Sequence, residues 1–229
     1  MPLLMRRRAA AAEELMDRPD CDPARLENTY RQFGVVNRVV SGWRRLYVRE
    51  VRPLLAPTGT ATLLDVGSGG GDLAVTLRRW ARSDAFDLRI TGIDPDPRAI
   101  AFAVQRPPVS GVEFRQAHSS DLVAEGRRYD LVVSNHVLHH LSPAQLHQLL
   151  EDTETLATRL CLHNDLRRSP AAYALFSVAA LPFRHSFIRA DGLTSIRRSY
   201  TPAELTAAAP PGWAVARTAA FHHALVRRA

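Results

Sequence analysis

Thr62-Leu63-Leu64-Asp65-Val66-Gly67-Ser68-Gly69-Gly70-Gly71-Asp72 opens a stretch that runs to Asp94 and decides the fold. Its first five residues are a short apolar run, the pattern of a strand buried on both faces. Five residues rich in glycine follow, able to take positive φ and to let a ligand approach the backbone. Asp72-Leu73-Ala74-Val75-Thr76-Leu77 then begins a helix whose free N–H groups and dipole end face the turn. Leu88 to Ile93 reads as a second strand, and Asp94 at its end suits paired ribose hydroxyls.

The ligand is not a dinucleotide or a phosphate. A G-x-G-x-x-G fingerprint would need glycine or alanine where Asp72 stands. A phosphate loop would need lysine, and the chain has none. An acid beside the turn would repel a pyrophosphate and attract a cation. Asp65 followed by Gly67, Gly69 and Gly71 resembles motif I of the class I S-adenosylmethionine-dependent methyltransferases. Asp-Leu-Val-Val-Ser-Asn-His-Val-Leu-His-His-Leu, residues 130–141, resembles the segment after strand four of the same superfamily. The resemblance implies that Asp65, Gly67, Ser68, Gly69 and Gly71 hold the methionine end of the cofactor, with Asp94 and Pro95 at the ribose and Asn135 at the strand-four loop. It places His118 and Ser119 at the adenine, where the family often has Asp or Asn. His118 departs from that pattern, and Asp121 either serves there instead or caps a turn.

Composition is that of a globular protein: 46% hydrophobic and 23% charged over 229 residues. No apolar run is long enough to span a membrane, Arg6-Arg7-Arg8 lacks a signal-peptide apolar region, and a cytoplasmic location is expected. Cys21 and Cys161 are too few for a disulfide framework or a metal site. The net charge of +7 comes with thirty arginines spread along the chain rather than in a block interleaved with aromatics, so no nucleic-acid partner is expected. A peripheral contact with an anionic membrane, where a greasy acceptor resides, fits the charge better.

The expected fold class is α/β: a Rossmann-like seven-stranded methyltransferase sheet, mostly parallel with an antiparallel last strand, plus N-terminal helices and an apolar lid insertion. Residues 1–56 form the helical cap and 57–229 the methyltransferase domain, with the lid at about 166–200. The first twenty residues fray, with helical propensity over Ala9–Met16; a helix starts at Asp22-Pro23. Pro95-Asp96-Pro97 starts another, with Ala99, Ile100, Ala103 and Val104 on its buried face. Strand five is read over 158–164, with His163-Asn164-Asp165 at its end where the loop on the substrate side begins. Phe33, Asn37 and Ser41-Gly42-Trp43 resemble the N-terminal segment of ubiquinone and menaquinone C-methyltransferases. Asn164 to Ser169 with Asp191 to Pro202 resembles bacterial methyltransferases of lipid-quinone and polyketide pathways.

A methyltransferase supplies alignment and a dry pocket, and a phenol or enol must lose its proton near the moment of attack. His136, His139, His140 and His163 are the candidate catalytic bases, with His163 and His139 placed first and His185 of the insertion as a further candidate; His222 and His223 read as structural. The apolar lid points to a small hydrophobic aromatic acceptor. The expected function is S-adenosylmethionine-dependent O-methylation of a phenolic, polyketide or quinone-like molecule. C-methylation of an activated ring, an RNA methyltransferase and a non-catalytic cofactor-binding protein are the alternatives.

Overall fold

The computed structural model describes residues 5–228; the first four residues of the expected cap, the last residue of the chain and the side chains of residues 38 and 39 lie outside the description. Seven strands form one sheet: β1 (Thr60–Val66), β2 (Asp87–Asp94), β3 (Val112–Gln116), β4 (Tyr129–Asn135), β5 (Ala157–Leu166), β6 (Ala214–Ala219) and β7 (His222–Arg228). Their order is β3-β2-β1-β4-β5-β7-β6. β1 to β5 pair in parallel and β7 inserts antiparallel to its neighbours β5 and β6, as expected. The order reverses between β1 and β4, so the loops after those strands diverge around a crevice at the carboxyl edge.

Alternation along the central strands divides the core. Leu63, Leu131, Val133, Leu160 and Leu162 face one side, where α3 (Asp72–Ser83) and the helical turns from Trp43 to Leu54 pack. Leu64, Val132 and Cys161 face the other, where α6 (Pro143–Leu156) packs. A strand buried on both faces must be apolar at every position, the pattern by which β1 and β4 are read.

Around the sheet lie α1 (Pro23–Val40), α2 (Trp43–Leu46), α4 (Pro97–Gln105), α5 (Ser119–Ala124), α7 (Pro170–Ala179), α8 (Ile188–Arg198) and α9 (Pro202–Ala208). Asp22 caps α1 through Ala24 and Arg25, and Thr201 with Glu204 forms the capping box of α9. The stretch expected as a lid insertion holds α7 and α8 with the turn between them.

Three expectations are corrected. Ala9–Met16 holds no α-helix, only the start of the 3-10 turn Leu15–Asp17, and the described part of the first twenty residues is docked rather than frayed. Residues 5–17 are a docked strap: Ala9 N–H donates to Arg197 O, and Leu15 and Met16 N–H donate to the Asp191 carboxylate. Side-chain anchors outweigh the small helical preference of alanine, which is worth only a few tenths of a kcal/mol per residue. Val104 is 58% exposed, while Phe102 turns inward onto Tyr30, their rings 5.2 Å apart. β5 continues through Leu166 because β7 pairs with it as far as Leu166↔His222, so His163 lies within the strand.

Candidate active site

The glycine turn is held by packing as much as by backbone freedom. Gly67 has φ +68, and a Cβ there would lie 2.5 Å from Val137 Cγ2. Gly71 has φ +75 as the N-cap of α3, and its Cβ would meet Phe114 at 2.3 Å. The second glycine therefore serves packing, while Gly67, Ser68 and Gly69 line the cavity. Asp94 braces two loops: Gly69 N–H donates to one carboxylate oxygen at 2.9 Å and Asp96 N–H to the other at 2.9 Å. Pro95 and Asn135 line the same cavity. Asn135 Oδ1 accepts from Trp43 Nε1 at 2.8 Å and Asn164 Nδ2 at 3.0 Å, which ties the strand-four loop to the N-terminal helices.

This end of the cavity is acidic. Asp65 is 1% exposed, and its Oδ2 and the Ser68 hydroxyl lack any partner among the described residues. Burial, with Asp72 and Asp94 nearby, pushes the Asp65 carboxyl well above its ordinary range, and burial raises Asp94 as well. Three carboxylates sharing one pocket repel one another until a cation arrives. S-adenosylmethionine carries an ammonium and a sulfonium, so the donor set fits it. His118 and Ser119 do not reach the cavity. His118 is exposed and begins α5, where Asp121 accepts its backbone N–H at 2.8 Å, and the Ser119 hydroxyl donates to Asp152 at 2.6 Å. Asp121 is a cap.

The cavity, about 560 Å³, runs from this acidic end to an apolar one bounded by Leu166, Phe176, Ile196 and Phe221. Glu14, Met16 and Asp17 of the strap close one side. His163 is not in its wall. It is fully buried, its Nδ1 2.8 Å from the Ser134 hydroxyl, its Nε2 3.2 Å from the Thr153 hydroxyl and its ring 5.4 Å from Trp213. Burial holds its pKa down to about 3, so it stays neutral with both nitrogens occupied.

His139 lines the cavity but is enclosed by acids. Its Nδ1 lies 2.7 Å from Asp165, and its Nε2 faces Glu14 at 3.4 Å, an ion-pair contact rather than an aligned hydrogen bond. Burial disfavours its charge, but Asp165 and Glu14 outweigh burial and lift the pKa to about 9. Glu14, for its part, is held down to about 2 against burial by His139 and His140. Ser195 donates to Glu14 at 2.8 Å and Arg198 stands 3.7 Å away. The nearest ligand atoms of Glu14, His139 and His140 fall within 4.8 Å, close enough for an ion, but His139 and Arg198 already stand beside Glu14 as its counter-charges. Arg198 is thus engaged inside the protein. The last pair is His136, on the strand-four loop, and His222, at the start of β7: both line the cavity, their Nε2 atoms 3.0 Å apart.

Glu14, Asp165, Asp191 and His222 escape sequence reasoning. Glu14 sits in a stretch with no patterning, and Asp191 in a helix remote in sequence from the strap it holds. His222 and His223 differ only in strand parity, which a one-residue slip of register reverses.

The methyltransferase domain family matches residues 63–158. The ubiquinone biosynthesis O-methyltransferase of Methylobacterium sp. (strain 4-46) is 36% identical over 88 residues, 38% of this chain and 33% of that protein. Its counterpart from Azorhizobium caulinodans is 28% identical over 134 residues, 58% of this chain and 49% of that one. The chain thus spans between a third and a half of these curated relatives. Among solved structures, human N-acetylserotonin methyltransferase in complex with SAM aligns with a TM-score of 0.60 at 18% identity, covering 87% of this chain and 54% of that one. The plantazolicin methyltransferase BpumL with SAH aligns at 0.57 and 12% identity, covering 90% and 96%. These structural likenesses establish a shared fold. The domain match over β1 to β4, the strand order and the acidic glycine turn coincide in one place: over residues 63–158 the chain is similar to the methyltransferase domain family.

Proposed function

We propose that this chain transfers the methyl group of S-adenosylmethionine to an oxygen of a small, hydrophobic phenolic, polyketide or quinone-like acceptor. The observation that carries the reading is the cavity itself: one continuous space joins an acidic glycine turn to an apolar chamber under α7 and α8. Bound at the turn, the cofactor supplies an electrophilic methyl on a sulfonium. Asp65, Gly67, Ser68, Gly69, Asp94, Pro95 and Asn135 hold it in this reading, with Gly71 setting the turn. The lid excludes water, which strengthens every electrostatic contact inside. The O-methyltransferase names of the relatives support oxygen over carbon as the accepting atom. A peripheral contact with an anionic membrane belongs to the same proposal: Leu175, Val178 and Leu181 are 59%, 65% and 57% exposed, and Leu175 also lines the cavity. No helix among the described residues is long and apolar enough to cross a membrane.

Calorimetric titration with S-adenosylmethionine, S-adenosylhomocysteine and NAD tests the cofactor. The first two bind and NAD does not, and Asp94→Ala weakens them at least about tenfold, the loss of one or two hydrogen bonds to a charged group. Binding of neither sulfur compound refutes the proposal. Screening phenols and quinols with the bound protein then identifies the acceptor by the methyl ether formed.

A further inference from the structure

The acceptor oxygen must lose a proton, and the two histidines placed first as bases from sequence, His163 and His139, are placed badly for it. His163 lies outside the cavity with both nitrogens hydrogen-bonded. His139 faces carboxylates on both nitrogens and is already a cation near neutral pH, with no lone pair to offer. The cavity wall holds another arrangement. His136 sits just past the carboxyl end of β4, between Asn135 and the Val137 that packs on Gly67. It takes φ +59, a left-handed conformation uncommon for a residue other than glycine. Such conformations cluster where function holds a side chain in place. Its backbone N–H is fixed to Asn164 O at 2.9 Å. The side chain keeps part of its surface open, while His222 behind it is 2% exposed and its Nδ1 has no partner among the described residues.

We propose that His136 and His222 form a two-imidazole relay that takes the proton of the acceptor hydroxyl, His136 as the catalytic residue and His222 as its positioning and charge-receiving partner. This rests on the function proposed above. The balance is simple. As the oxygen lone pair attacks the methyl carbon, the O–H bond breaks and a bond forms from that proton to His136 Nδ1. The His136 Nε2–H bond breaks, and its proton bonds to His222 Nε2 across the 3.0 Å contact. The positive charge ends on His222, deeper in the protein. A hydroxyl that is gaining a carbon substituent becomes strongly acidic, so a weak base suffices at that moment.

Weakness has a use here. Burial holds His136 down to about 4 and His222 down to about 3, so both stay neutral and receptive across the physiological range. Their charged surroundings are His139 and His140 from the turn after β4, Asp165 from β5, Glu14 from the strap and His223 from β7. Asp165 and Glu14 favour the imidazolium that the relay creates, and the histidines oppose it.

The test uses the full chain with 1-naphthol, a neutral apolar phenol, as probe. His136→Asn keeps a residue tolerant of positive φ. It is expected to lower kcat roughly 100- to 10,000-fold, the usual worth of a general base. Affinities for S-adenosylhomocysteine and naphthol stay within about threefold, since neither depends on proton transfer. His222→Gln, which can hold His136 in place but cannot receive a proton, stays slow; recovery of the wild-type rate in it overturns the relay. The wild-type rate is level from about pH 6 to 9, as a base neutral throughout requires. A rate that climbs through pH 9 and vanishes in His139→Asn overturns the assignment. Independently of turnover, 15N imidazole spectra of the S-adenosylhomocysteine complex show a neutral His136 at pH 6, hydrogen-bonded to His222. A charged His136, or no shared hydrogen bond, overturns the proposal even when naphthol is not methylated. Failure of S-adenosylhomocysteine to bind at all refutes the cofactor reading instead.

Discussion

Raising the pH from 6.5 to 9.5 is expected to loosen the strap at residues 5–17 and lower the stability of the whole chain. The cause is His139. It bridges Asp165 and Glu14 in a site where it is 1% exposed, and its pKa is raised from 6.5 to about 9. A histidine whose folded pKa is raised contributes stability that is complete below the unfolded value and is lost as pH rises through the folded one. At about 1.36 kcal/mol per pH unit, the interval from 6.5 to 9 is on the order of 3 kcal/mol. The low pKa values of Glu14 and Asp165 describe the same contacts from the other side and add nothing further. For a chain of this length each kcal/mol moves Tm by roughly 2–4 °C, so a fall of about 6–12 °C is expected. The assay is thermal or urea unfolding of the cofactor-free protein at half-unit pH steps. His139→Gln leaves two buried acids without their cation and costs roughly 3–5 kcal/mol at pH 6.5, but its stability should then be nearly flat across the window. Glu14→Gln gives a milder version of the same comparison. A wild-type curve that is flat between pH 6.5 and 9.5, or a His139→Gln curve that falls in parallel with it, refutes the reasoning.

Other consequences follow from the same site. Below pH 6.5 stability falls again, because His136, His163 and His222 have depressed pKa values and the unfolded chain binds those protons more readily; unfolding curves between pH 6.5 and 4 measure this, and His163→Asn reduces the slope. Asp65→Asn removes a buried, partly unsatisfied acid, so the cofactor-free protein keeps or gains stability while S-adenosylmethionine binds at least about tenfold more weakly, read by calorimetry. Gly71→Ala brings a Cβ to 2.3 Å from Phe114 at φ +75 and is expected to cost about 1–3 kcal/mol in urea unfolding. The chain is expected to co-sediment with anionic vesicles more than with zwitterionic ones, and Leu175→Asp with Val178→Asp to abolish the difference; equal binding to both vesicle types refutes the charge argument.

The parts of this protein that were legible in sequence are those where local pattern and tertiary role coincide. β1 and β4 are apolar at successive positions because both of their faces are covered. The glycine turn shows itself because positive φ and a packed Val137 leave room for little else, and Asp22 and Asp96 announce helices because capping is local chemistry. The strap and the histidines are different. Glu14 finds His139 across 125 positions of chain, and Asp191 finds Leu15 across 176. No period or spacing encodes such contacts. His163 misled for a related reason: β5 ends where β7 stops pairing with it, and β7 lies more than fifty residues downstream.

That difference bears on where the chemistry sits. The same sequence places histidines at 136, 139, 163 and 222, alike in residue type, and the fold gives them different tasks by giving them different neighbours. His163 has two hydroxyls and becomes a neutral core side chain. His139 has two carboxylates and becomes a cation that pins the strap over the cavity. His136 and His222 have each other and an open chamber. Removing the acids should therefore exchange roles: in a Glu14→Gln, Asp165→Asn double variant, burial would dominate at His139 and pull its pKa below 6.5, as it does at His163. Imidazole NMR of that variant should find His139 neutral at pH 7 and His136 unchanged. A His139 that stays charged there would mean that something other than its two carboxylates sets its protonation, and the assignment of roles by neighbour would fail at its clearest point.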